Sequence, residues 1–191
     1  MWLVRRLRRR LGNLGRIDQK GVVRFFEGWQ LTNERLVTTV SGLSPEQLEL
    51  RPAPHLWPIW ATTAHLAGTR VYWLCVVFKE PGAETTPFTD PNGDGWEDDI
   101  DHPRHADELV FALESSWAIV QSCLERWTPE TLTHEARRVR DDKIQVHTRQ
   151  SVLMRMLTHD ASHIGEISLT LGMYGLPELD LWTGRAPTVS A

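Results

Sequence analysis

The chain has 191 residues, near the upper end of one typical domain, and 41% of them are hydrophobic, enough to bury a core and too many for a disordered chain. Its net charge is −4, but seven Lys/Arg against one Asp give residues 1–20 a charge of +6 and leave −10 for residues 21–191. An acidic body disfavours nucleic acid as a ligand, and no apolar run approaches the ~20 residues of a membrane span.

Residues 1–20 read as a basic tail, loosely ordered like most termini. Trp2, Leu3, Leu7, Leu11 and Leu14 lie among its arginines, so contact with a membrane surface or RNA is the alternative. The tail has the charge of a signal peptide but no apolar stretch behind it, and a cytoplasmic location is expected. The first helical pattern covers residues 22–40, with Phe25, Phe26, Trp29, Leu36 and Val40 on one side. "SGLSPEQL" ends it and turns the chain. A second helix is expected over 58–78, with Pro58 in its first turn and "KEPG" as its stop.

Residues 80–104 are rich in Pro, Gly and Asp. A loop of that length within one domain hints at a function or at a cover over a site. Within it, Asp90, Asn92, Asp94 and Gly95 match the opening of a calcium loop. Asp101 stands where a bidentate Glu is expected, and Glu97 replaces the usual apolar residue. An acidic surface loop is the simpler reading. A third helix is expected over 106–127, where Leu109, Leu113, Trp117, Val120, Leu124 and Trp127 recur at steps of three and four. Residues 128–149 are polar, with a short extended stretch at Ile144 and Val146. The fourth helix covers 150–174, with Gly175 and Pro177 as cap and stop. Cys75 and Cys123 fall in apolar helical segments and read as buried free thiols. Four helices without a convincing sheet predict an all-α, antiparallel four-helix bundle over residues 21–183, with a long loop between its second and third helices and a tail at 184–191.

The chemistry concentrates in the fourth helix. His159 and His163 are four apart and project from one face, the spacing by which a helix gives a metal two imidazoles. They continue a row of Val152, Met156, Glu166 and Thr170, beside an apolar row of Leu153, Leu157, Ile164, Ile167 and Leu171. In the second helix His65 lies among Ala61, Ala64 and Gly68, small residues that let another helix come close. Three imidazoles plus an open position form a catalytic rather than a structural zinc-type pattern. Core histidines satisfied by polar neighbours are the competing reading.

"HDASH" outlines a metalloprotease helix, but Asp160 replaces the glutamate and reaches one methylene less far. Asp160 and Glu166 are the candidates for proton handling. Asp160 could instead orient a ligand histidine or face solvent, and Glu166 could be a fourth ligand. Trp57, Trp60, Tyr72 and Arg149 are candidates for the pocket mouth, Arg149 as a clamp for an anionic substrate or thiol. For the tryptophans a place in the core is the alternative, and for Arg149 a surface ion pair. No Glu-x-x-His pair supports a di-iron site, and no phosphate loop or nucleophile elbow is present.

Three stretches together resemble the DinB-like superfamily: "AHLAGT" around His65, "LTHDASHIGEISLTLGMYGLP", and "LDLW" at 179–182. The resemblance covers residues 21–182. It implies a four-helix bundle in which His65, His159 and His163 bind one divalent metal, zinc or nickel. It also implies a thiol-dependent transferase or isomerase, or a hydrolase, with a low-molecular-weight thiol as co-substrate, a small-molecule substrate and a homodimer. A non-catalytic metal-binding or stress-response bundle is the alternative it leaves open.

Overall fold

The computed structural model describes residues 22–88 and 98–186. The basic tail and most of the calcium-like motif lie outside these residues. The first helical run opens as a 3-10 turn, Val23–Phe26, and becomes helix α1, Glu27–Ser41. Trp29, Asn33, Leu36 and Val40 are its buried positions, spaced by three and four as one inward stripe requires. Phe25, expected on that stripe, is 79% exposed. The tighter 3-10 winding turns it off the α-helical face.

The stretch read as a turn holds a short helix α2, Pro45–Leu48. Its ends close reciprocally: the Gln47 backbone N–H donates to the Ser44 hydroxyl, and the Ser44 backbone N–H donates to the Gln47 side chain.

Helix α3, Ile59–Val71, is buried at every position except His65. Pro58 stands just before it as the N-cap rather than inside the first turn. The helix then widens into a π-helix, Tyr72–Val77, closed by the Phe78 N–H donating to the Trp73 carbonyl five residues back at 3.2 Å. Single π turns inside α-helices often mark functional sites.

Helix α4, Ala106–Arg126, follows the predicted stripe. The region read as one extended stretch is a hairpin, β1 Glu135–Arg140 paired antiparallel with β2 Lys143–Thr148. Its two-residue turn is Asp141–Asp142, with φ of 52° and 57°. Positive φ at both central residues is the twist that matches a hairpin, and Asp tolerates it better than most residues. The all-α expectation is therefore amended by one small sheet. Thr148 caps helix α5, Arg149–Met173, by accepting from the Ser151 N–H at 3.1 Å. Gly175 ends that run at a φ of +71°, which a side chain would strain.

Helix α4 packs on α3 and α1, and α5 packs on α3, around one apolar cluster that runs from Val22 to Leu179. Three tryptophans of this core each donate the indole N–H to a carboxylate: Trp29 to the buried Asp160 at 2.7 Å, Trp127 to the buried Glu80 at 3.1 Å, and Trp60 to the exposed Glu49 at 3.1 Å. Buried tryptophans need such partners, because an unpaired N–H away from water is costly. The chain end folds back on α1, where Arg35 donates to the carbonyls of Asp180 and Thr183. Cys75 and Cys123 are free and buried, and burial pushes their thiols up to about 11 and about 12. Burial thus favours the protonated thiol over the reactive thiolate at both positions. No helix among the described residues is long and apolar enough to cross a membrane.

Candidate metal centre

Helices α3 and α5 bring the three predicted histidines together. His65 Nε2 lies 2.9 Å from His159 Nε2, and His163 Nε2 lies 3.2 Å from the same atom. Among the described residues this is the group whose ligand atoms converge, all within 4.8 Å of one another. Nitrogens bound to one tetrahedral zinc at ~2.0–2.1 Å stand about 3.3 Å apart, so the spacing fits a shared ion.

The far ring nitrogens explain why. His65 Nδ1 is 2.8 Å from Asp98 Oδ1, and His163 Nδ1 is 2.7 Å from Glu166 Oε2. A carboxylate can only accept, so each Nδ1 carries a proton, and in the neutral ring that leaves the lone pair on Nε2. Lone pairs aimed at one another repel unless a proton on His159 Nε2 or a metal cation stands among them, and one proton can serve only one of the two approaches at a time. Carboxylate, imidazole and metal in that order is the usual way a protein orients a ligand histidine. His159 differs. Its Nδ1 is buried without a hydrogen-bond partner, and burial, then His163 and His65, pull the ring down to about 4. It is held neutral, the form a metal needs. His65 and His163 each keep about 20% of their side-chain surface, so the site opens to solvent on one side.

The remaining predicted residues divide. Trp57 packs edge-on against His65 with ring centroids 5.1 Å apart. It lines a cavity of about 390 Å³ with Leu56, Ile59, Ile167, His163 and Glu166. Tyr72 lines a second cavity, on the other flank of the triad, of about 420 Å³. Glu166 is on the outer edge of His163, on the ring nitrogen away from the convergence point, which is not where a fourth ligand sits.

Asp160 is elsewhere altogether. It is 1% exposed, and its Oδ2 accepts from Arg70 Nη2 at 2.7 Å, Arg70 Nε at 3.1 Å and Trp29 Nε1 at 2.7 Å. Arg70 also donates to Asn33 Oδ1 at 2.7 Å. Burial pushes the Asp160 carboxyl up, and Arg70 and Trp29 oppose that. Trp60 is buried against Glu49. Arg149 turns away from the histidines, 2.8 Å from the buried Glu80 and over the Trp127 ring.

Three residues beside the triad were not singled out from the sequence. Asp98 comes from the long loop, and no spacing rule ties a loop residue to a helix 33 positions earlier. Arg155, four before His159, was within reach of the helical repeat. Arg138 depends on the hairpin, whose signal is two Asp between alternating stretches.

Comparison with known proteins agrees with this architecture. The family model of the DinB superfamily matches residues 29–167. A solved structure of a DinB-like protein from Bacillus cereus ATCC 10987 superposes with a TM-score of 0.61 at 17% identity, covering 86% of this chain and 99% of that one. A search of the curated proteins found no match. The family match spans both helices of the histidine cluster, and the chain belongs to the DinB superfamily.

Proposed function

We propose that the chain is a metal-dependent enzyme of the thiol transferase, isomerase or hydrolase type, built on an antiparallel four-helix bundle. His65, His159 and His163 would hold one divalent ion, zinc or nickel, through their Nε2 atoms. The observation that carries this reading is the pair of carboxylates, Asp98 and Glu166, that turn the Nε2 lone pairs of His65 and His163 toward that of His159. When bound, the ion would supply a deprotonated thiol, or a water with a pKa lowered to about 7.

The chain's own residues supply orientation and a dry wall. Asp98 and Glu166 fix the tautomer and the ring planes. Trp57, Leu56 and Ile167 form an apolar cavity beside His163 that suits the apolar part of a small substrate. Glu166 is 55% exposed at the side chain and stands at that cavity's edge, where it can hold or pass a proton through His163 or water. Asp160 is assigned a positioning role rather than proton transfer. A homodimer is the setting that the family resemblance suggests, and a cytoplasmic location is proposed with it on the character of residues 1–20.

The test is cobalt substitution. Adding 2-mercaptoethanol to the cobalt protein should produce a sulfur-to-cobalt charge-transfer band, because a thiolate then coordinates directly. His163→Ala should lose both cobalt and the band. Stoichiometric cobalt without a band would remove thiol chemistry and leave hydrolysis or a non-catalytic role. Unchanged metal content in His163→Ala would remove the triad.

A further inference from the structure

We infer that the cavity between the hairpin and the π-helix is a subsite for a carboxylate-bearing small molecule, gripped by Arg138 and Arg155 while the same molecule reaches the histidine cluster. This deepens the function proposed above and rests on it for the metal-bound end of the ligand only. The cavity, of about 420 Å³, is lined by Tyr72, Trp73, Arg138 and Arg155 and reaches His65 and His159. A ligand seated on the arginines therefore abuts the convergence point of the triad.

Arg138 is built into the cavity wall, Arg155 lies beside it at the surface, and neither is paired with a counter-charge among the described residues. Arg138 stands over the Trp73 ring at 4.7 Å from its centroid and Arg155 over the same ring at 4.9 Å. Arg138 is held further by donating from Nη1 to the Tyr72 hydroxyl and from Nε to Gln145 Oε1, both at 2.8 Å. Its other amino group stays available. Arg155 has no hydrogen bond or ion pair among the described residues. Neither arginine reaches a carboxylate there. Asp98, the acid on this cavity, is taken up by His65. The other ionisable groups nearby, among the described residues, are Arg140, which lines the cavity, and His147, whose ring packs on Trp73. Burial, then Arg138 and Arg155, hold His147 below its ordinary range, as an uncompensated positive field does.

The hairpin's facing argues for the same use. Alternation in β1 turns Ala136 and Arg138 toward the body of the protein, and in β2 it turns Gln145 and His147 inward. Val139, Ile144 and Val146 face outward at 74%, 66% and 50% exposure. A sheet whose only task was to cover the core would point its valines and isoleucine inward. This one points polar and cationic groups at the histidines and leaves its apolar face outside. Two guanidinium groups stacked over one aromatic ring are suited to charge-assisted, planar recognition of carboxylates, and the hydrogen bonds that hold Arg138 spare the ligand part of the ordering cost.

The test titrates cobalt-loaded full-length protein with mercaptosuccinate, a thiol with two carboxylates, and with 1-thioglycerol, the thiol without them. Mercaptosuccinate should bind at least about tenfold more tightly, and added salt should shrink the difference. Arg155→Gln and Arg138→Gln should each cut that preference while leaving the affinity for 1-thioglycerol unchanged. Calorimetric titration of metal-free protein with succinate reads the anion subsite apart from any metal chemistry. Saturable succinate binding that Arg155→Gln weakens supports the subsite even where no thiol gives a charge-transfer band, and then only the thiol reading falls. Equal binding of the two thiols with no succinate binding overturns the subsite, and so does a preference that survives Arg155→Gln. Arg155 is solvent-exposed on a helix, so its variant decides the matter if melting curves show that Arg138→Gln disturbs the hairpin.

Discussion

Asp160 follows a candidate ligand directly in sequence, yet the structure gives it a different partner, and substitution should separate the two roles. Asp160→Asn keeps the shape of the side chain and an oxygen for the Trp29 N–H, but removes the negative charge from Arg70. Arg70 has no exposed surface and Asp160 has 2% at the side chain, so solvent cannot compensate. Breaking a buried pair by neutralising one partner costs roughly 3–5 kcal/mol. For a chain of this size each kcal/mol lowers Tm by about 2–4 °C, so the metal-free protein should melt about 6–20 °C earlier. Thermal unfolding followed by circular dichroism, paired with elemental analysis of the folded protein, is the assay. Arg70→Met combined with Asp160→Leu removes both charges and should melt well above Asp160→Leu alone, because the uncompensated guanidinium is gone. An Asp160→Asn protein that melts within about 2 °C of wild type but fails to hold metal would refute the reasoning and return Asp160 to the metal site.

Three further outcomes follow from the geometry. His159 sits near 4 in the fold against an ordinary 6.5, so its contribution to stability is complete above about 6.5 and is lost as pH falls from there toward 4. The melting temperature of metal-free protein should decline across that window, and His159→Asn should flatten the decline. A curve equally steep in the variant would place the effect elsewhere. Glu166→Gln replaces the acceptor on His163 Nδ1 and should weaken metal affinity about 10–100-fold without abolishing it, as competition with a chelator would read. Complete loss would mean that Glu166 is itself a ligand. In the hairpin, replacing Asp141–Asp142 by Asn-Gly suits the positive φ at both positions and should stabilise by about 0.5–1 kcal/mol in denaturant titration, whereas a drop in stability would contradict the observed turn.

What the sequence disclosed follows the range of each interaction. Helices α1, α3, α4 and α5 were visible because burial repeats every three to four residues, and the His159–His163 step is that repeat carrying chemistry. Position in the chain also shows that Asp160 points about 100° away from His159. It cannot show that the neighbouring face meets Arg70, because that depends on how α3 crosses α5. Arg149 was left open between a clamp and an ion pair for the same reason: its partner Glu80 lies 69 residues away in sequence. Trp60 needed Glu49, and His65 needed Asp98. The widening of α3 into a π-helix left no periodic signature, since "YWLCVV" is apolar on every side.

The Arg70–Asp160 pair bears on the histidines through register rather than contact. Helix α3 carries His65 and Arg70, and α5 carries His159 and Asp160. Two links thus join the same pair of helices within about one and a half turns, one at His65–His159 and one at Arg70–Asp160. Sliding α5 by one residue, about 1.5 Å, would strain both links at once. The charged pair is fully buried whereas the imidazoles are part-exposed, so it is the link that solvent cannot replace. It fixes the crossing of α3 and α5 whether or not an ion is bound. A crossing fixed in this way makes the approach of the Nε2 atoms a property of the apoprotein. The chelated protein should accordingly keep its helical circular dichroism and take up metal again at a rate independent of refolding. A metal-free state with most of its helical signal lost would assign the crossing to the ion instead.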